Sequence, residues 1–226
     1  MKSIQQHINN SSYESFVQKV QDELQLKTKH NKTSIENLAK KYAILDKTEV
    51  KELTELAIVN EARKIAHKSS WTSEEKFNAI VDLYHSQVNL SHRTSQSILL
   101  QQYSTPAPIA YLMGVFCNLD KLNSGKAFEP SAGNGLLTIA GNPKNIHVNE
   151  VDPTRHRNLK TQGFEKVSSL DASQPDLFLP NTYDAVLTNP PFGMLDHAIK
   201  FDGYPIRVLD HVMAIRALES IDRKST

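Results

Sequence analysis

Two hundred and twenty-six residues, 39% hydrophobic and 23% charged, allow one domain of catalytic size and a smaller companion, and exclude a disordered or fibrous chain. Twenty-six Lys and Arg against 25 Asp and Glu leave a formal charge of +1, so net charge points neither toward nor away from nucleic acid. The single cysteine, Cys117, rules out an intrachain disulfide and a multi-cysteine metal centre, and no apolar run approaches the roughly 18 residues of a membrane span, nor does the polar start hold a signal-peptide core, so a cytoplasmic chain without membrane contact is expected.

The first hundred residues contain neither glycine nor proline. Apolar side chains recur there at helical spacing, as in Leu53, Leu56, Ala57, Val59, Ala62 and Ala66. An all-helical domain over 1–100 is therefore expected, with helices at 12–28, 33–44, 48–68, 73–86 and 92–102. Thr33 with Glu36, and Thr72 with Glu75, have the Ser/Thr-x-x-Glu spacing of capping boxes. Lys27, Lys29, Lys32, Lys40 and Lys41 are interleaved with acids and read as a solvated helix surface.

From 101 to 226 glycines and prolines enter, and short apolar runs alternate with helical patterns, which predicts an α/β domain built from β-α-β units. A helix starts after Thr105, with Pro106 near its first turn. Then follow a strand ending at Ala127-Phe128, a helix near 134–140, a strand at 145–149, a helix at 153–162 and a strand near 166–170. The strongest strand is Tyr183 to Thr188, and a last helix covers about 205–222. Ligands of open α/β sheets lie beyond the carboxyl ends of the strands, and four groups of residues fall there.

Phe128-Glu129-Pro130-Ser131-Ala132-Gly133-Asn134-Gly135 is a strand end running into a small-residue turn, where two glycines let a ligand approach the backbone. About twenty residues on, Glu150 is placed to accept ribose hydroxyls, with Val151 beside it and Asp152 as the N-cap of the helix at Pro153. Asp171 follows the third strand and suits an adenine amino group. Asn189-Pro190-Pro191-Phe192 directly follows the fourth strand. Two prolines cannot donate ladder hydrogen bonds and hold the chain extended, so the Asn189 carboxamide oxygen and the Pro190 carbonyl can accept the two N–H bonds of an exocyclic amine while Phe192 stacks on its ring.

In order and spacing these residues resemble motifs I to IV of the S-adenosylmethionine-dependent amino methyltransferases, most of all the N6-adenine DNA methyltransferases. Gln102-Tyr103-Ser104-Thr105-Pro106, ahead of an apolar helix, resembles their motif X. The resemblance covers about 101–222. It implies a Rossmann-like methyltransferase sheet and S-adenosylmethionine as cofactor. Tyr103, Thr105, Glu129, Pro130, Ser131, Ala132, Gly133 and Gly135 would line the methionine end, Glu150 and Val151 the ribose, and Asp171 with Ala172 the adenine. Asn189, Pro190, Pro191 and Phe192 would be catalytic, orienting and stacking on a flipped adenine. The implied partner is adenine-containing DNA, in a restriction-modification or mobile-element setting. The latter rests on a looser similarity of Asp210-His211-x-x-Ala214-x-Arg216-Ala217-Leu218 to methyltransferase-like regions of helicase-linked mobile-element proteins.

A full sheet of this family has further strands, whereas four are legible here, so an incomplete sheet is expected, completed by a downstream domain or a second chain. Two other functions fit the same motifs: methylation of an RNA base or a protein amide nitrogen, and a non-catalytic interaction module. His147, His156, His197 and His211 show no ligand spacing and read as ordinary surface or core residues.

Overall fold

The computed structural model describes residues 2–86 and 104–222, of which 2–10 by backbone alone. The chain divides into two compact units, Met1–Thr94 and Ser95–Thr226. The helix expected at 92–102 lies outside the described residues.

In the first unit α1 (Lys2–Gln25), α2 (Lys32–Lys40) and α4 (Ser73–Ser86) pack on α3 (Lys47–Ala66). α3 buries Leu53, Leu56, Ala57, Val59, Ala62 and Ala66, the spacing read from the sequence, together with Val50, Glu52, Thr54 and Glu55. Phe16 of α1 is fully buried and meets Tyr42 edge-on at 5.9 Å. Thr72 and Glu75 form the expected reciprocal cap, with Glu75 N donating to Thr72 Oγ1 at 3.2 Å and Thr72 N to the Glu75 carboxylate at 2.7 Å. The second expected box is displaced by two residues. Asn31 and Ser34, rather than Thr33 and Glu36, cap α2, because Asn31 holds the extended backbone that an N-cap requires. α1 also begins ten residues earlier than its apolar pattern suggests.

Among its described residues the second unit opens with α5 (Ala107–Phe116) and forms a four-stranded sheet, all parallel, in the order β3-β2-β1-β4. Its strands are β1 (Ala127–Glu129), β2 (Ile146–Asn149), β3 (Lys166–Ser168) and β4 (Ala185–Val186), with α6 (Pro153–Lys160) connecting β2 to β3. This is a Rossmann-like α/β arrangement. Phe128 anchors its core, stacked on Tyr183 at 4.8 Å, tilted against His147 at 4.7 Å and edge-on to Phe178 at 5.8 Å. The β4 ladder is shorter than the apolar run 183–188, yet Asp184 N still donates to Lys126 O and Leu187 N to Phe128 O, so its ends stay tied to β1.

Two expectations fail here. The segment 134–140 makes only a 3-10 turn at Leu136–Thr138, since Gly135 enters left-handed at φ +88° and Thr138 Oγ1 takes the Gly135 carbonyl. Only five residues separate Gly135 from Gly141, too few to repay α-helix nucleation. The last helix, α7 (Leu209–Ser220), starts four residues late, because 194–208 folds as an antiparallel hairpin of β5 (Met194–Phe201) and β6 (Tyr204–Val208). After α7 the chain returns to the β4 edge, where Ile221 bridges Tyr183 in parallel. Among the described residues no helix is long and apolar enough to cross a membrane.

Candidate active site

β1 has β2 on one side and β4 on the other, so the order of the sheet reverses between β1 and β4, and a crevice opens past their carboxyl ends at such a reversal. Three distant segments meet there. Asn189, past β4, donates from Nδ2 to Thr105 Oγ1 at 3.1 Å, 84 residues away. Ser131, past β1, lies with its hydroxyl 3.1 Å from that of Thr188 and donates to the Asn189 carbonyl at 3.4 Å. The bond to Thr105 fixes the Asn189 carboxamide plane and makes its oxygen the acceptor end. Pro190 and Pro191 are half-buried and carry the chain off the sheet, and Phe192 stands 55% exposed beside them.

The adjoining turn is held by Glu150. Its carboxylate accepts Gly133 N through Oε2 and Asp152 N through Oε1, both at 2.8 Å, and the residue is only 7% exposed. Burial pushes its carboxyl pKa above the ordinary value, against the pull of those two N–H groups and of Arg155. Asp152 caps α6 as expected, accepting from Thr154 N and Arg155 N at 3.0 Å. Ala132 N donates to Asn149 O and Gly135 N to Ala132 O, which closes the turn with Gly133 at φ +56°.

A residue the sequence reading missed organises these strand ends. Asn149, 1% exposed, donates to Pro130 O at 3.0 Å and Leu170 O at 2.9 Å, and accepts from Leu170 N and Ser168 Oγ, both at 2.9 Å. It ties the ends of β1, β2 and β3 together. Its only signal in the sequence is a polar residue at the end of the strand Ile146-His147-Val148, next to Glu150.

The remaining expected residues divide. Glu129 and Pro130 are buried at the end of β1. Val151 is 57% exposed, as is Leu170 to 48%, so apolar surface stands open past β2 and β3. Asp171 is exposed and accepts Ser173 N at 2.8 Å, closing a turn in which Gln174 N donates to Asp171 O. Ala172 packs against the Phe128 core. Tyr103 lies outside the described residues. No group of three or more His, Cys, Asp or Glu among the described residues is arranged to hold a metal ion.

The donor set fits S-adenosylmethionine. A carboxylate offers about four acceptor positions and Glu150 has used two on backbone, which leaves capacity for a pair of ribose hydroxyls. A Cβ built on Gly133 would meet, among the described residues, only Arg155 Nη1 at 3.7 Å, so the turn is open to a ligand.

No protein-family model matches the sequence, and no curated protein does. Among solved structures, a candidate RNA methyltransferase from Pyrococcus horikoshii aligns with a TM-score of 0.45 and 21% identity, over 65% of this chain and 69% of that one.

Proposed function

We propose that the chain transfers a methyl group from S-adenosylmethionine to the N6 amino group of adenine in DNA. The observation that carries this reading is the convergence of Thr105, Ser131 and Asn189 beside the Glu150-held glycine turn, three sequence segments with no reason to share hydrogen bonds in a plain β-α turn. When bound, S-adenosylmethionine supplies a methyl group on a positively charged sulfur, already activated for displacement. The protein then has to position and desolvate the amine rather than generate a strong nucleophile.

Each residue has a part in that task. Glu150 accepts the ribose hydroxyls. Asn189 Oδ1 and the Pro190 carbonyl accept the two amine N–H bonds, which directs the nitrogen lone pair away from them. Phe192, exposed at the rim, stacks on a base drawn out of the duplex, whose extrusion costs a few kcal/mol. A downstream domain or a second chain would extend the sheet beyond the Ile221 bridge at β4 and hold the duplex.

The test uses labelled S-adenosylmethionine with adenine-containing DNA and a matched RNA. Label should enter N6-methyladenine of the DNA. Asn189→Ala should lower transfer at least about a hundredfold while cofactor affinity, measured by calorimetry, persists. Undiminished transfer by that variant would overturn the assignment of Asn189, and label in RNA alone would overturn DNA as substrate.

A further inference from the structure

Arg216 sits on α7 and is 6% exposed, among Val212, Met213 and Ala217. Burying a guanidinium is costly, and a chain keeps one there when it joins groups that apolar side chains cannot join. The contacts of Arg216 are split between two elements. Nη1 donates to the carbonyl of Ser173, inside the turn that Asp171 closes. The guanidinium carbon also lies 6.0 Å from the centroid of the Phe201 ring, at the distal end of β5. Asp171 and Glu219 act on its charge at longer range.

The two elements lie on different sides of the proposed reaction. The 171–174 turn follows β3, on the adenosine side. The β5–β6 hairpin starts at Met194, two residues after Phe192, and its base is closed by Leu209 N donating to Gly193 O at 2.9 Å. Its outer residues Met194 and Tyr204 are 66% and 74% exposed, so the hairpin stands out beside the target-facing rim. Arg207 bridges the irregular stretch of β5 by donating to the carbonyls of Leu195 and Asp196.

We propose that Arg216 is a positioning residue that couples the 171–174 turn to the β5–β6 hairpin, so that the adenosine side and the target side of the site take up their working positions together. The roles of the two sides rest on the function proposed above; the mechanical link does not.

Hydrogen–deuterium exchange on the full chain separates the two. Phe201→Ala should speed amide exchange in residues 171–177 roughly threefold in the native background, the factor expected for loss of one cation–aromatic contact. In an Arg216→Met background the same substitution should add nothing there. Where Arg216→Met does not fold, Arg216→Gln keeps a hydrogen-bond donor and removes the charge over Phe201, with the same expectation. No response of 171–177 to Phe201→Ala, or an equal response without Arg216, overturns the coupling. In parallel, Phe201→Ala should weaken S-adenosylmethionine binding about threefold with Arg216 present and not with Arg216→Gln. Failure of the native chain to bind S-adenosylmethionine would remove the functional reading, while the exchange cycle still decides the link.

Discussion

The hydroxyl of Thr105 separates two chemical roles by a single bond. The family resemblance puts it at the methionine end of the cofactor, whereas its hydrogen-bond partner is Asn189 Nδ2 at 3.1 Å. Thr105→Val keeps the shape and removes the bond. A neutral hydrogen bond is worth about 1 kcal/mol net, so a role through Asn189 predicts a fall in kcat of roughly five- to tenfold with cofactor Kd unchanged. A weaker Kd with normal kcat would instead place Thr105 against the cofactor. Glu150 gives a complementary case. Glu150→Gln must turn an NH2 group toward either Gly133 N or Asp152 N, donor against donor, where the carboxylate now satisfies both. The turn loosens and cofactor affinity should drop at least about tenfold by calorimetry, the scale of a charged hydrogen bond. Because burial holds the Glu150 carboxyl above its ordinary pKa, affinity that depends on its charged form should rise with pH through that raised value in the native protein and be flat in the variant.

The glycine turn and the hairpin show what the sequence discloses at the level of elements. Gly135 was readable as a turn residue, and its reason is now specific: φ is +88°, and a Cβ would meet Gln162 Oε1 at 3.1 Å and the Leu159 and Phe164 side chains at 3.3 Å. Gly135→Ala should cost on the order of 2 kcal/mol in denaturant unfolding, from left-handed strain plus contact, and should weaken cofactor binding with it. A change within 0.5 kcal/mol would mean that the turn relaxes freely. β1, β2 and β4 were legible because each is a short, mostly apolar run ending in chemistry-bearing residues. The helix at 134–140 was misread because the same apolar residues, Leu136, Leu137, Ile139 and Ala140, are buried in and just after a 3-10 turn as they would be in a helix. The hairpin was missed although Asp202-Gly203 signals it. Both residues have positive φ, +48° and +87°, as a type I′ turn demands, and Asp-Gly is the dipeptide that supplies them. Its strands hid because neither alternates cleanly: Arg207 props a register shift, and most of the hairpin is exposed. Asn149 and Arg216 stayed hidden for a different reason, since what they join lies about twenty and fifteen to forty residues away and only the fold brings it near.

At the scale of the α/β unit, one hydrogen-bonded chain crosses the sheet and sets how folding responds to acid. Tyr183 Oη lies 2.6 Å from His147 Nδ1, His147 Nε2 lies 2.9 Å from Ser168 Oγ, and Ser168 Oγ donates to Asn149 Oδ1, which continues to Pro130 at the site. His147 is 3% exposed, and burial, helped by the Lys166 charge, pushes its pKa from 6.5 down to about 4. The unfolded chain therefore takes up a proton near pH 6.5 that the folded chain refuses until about pH 4, so this residue's contribution is complete above pH 6.5 and is lost as pH falls between those values. The loss is on the order of 2 kcal/mol, allowing for partial solvent relief of the shift. Glu150 works in the opposite direction, because its raised carboxyl pKa favours the folded state below the ordinary value and that gain disappears as pH rises through the folded one. The net acid profile is thus a difference of opposing terms, and only a variant isolates one of them. His147→Phe retains the stack against Phe128 and leaves the buried Tyr183 hydroxyl without its partner, a cost of about 1–3 kcal/mol at pH 7.5. The variant has no imidazole to protonate, so its deficit relative to the native chain should shrink by about 2 kcal/mol between pH 7 and pH 4 in urea unfolding. A deficit that stays constant over that interval would show that the imidazole titrates alike in the folded and unfolded chains, and that the polar chain beneath the site holds its geometry without keeping His147 neutral.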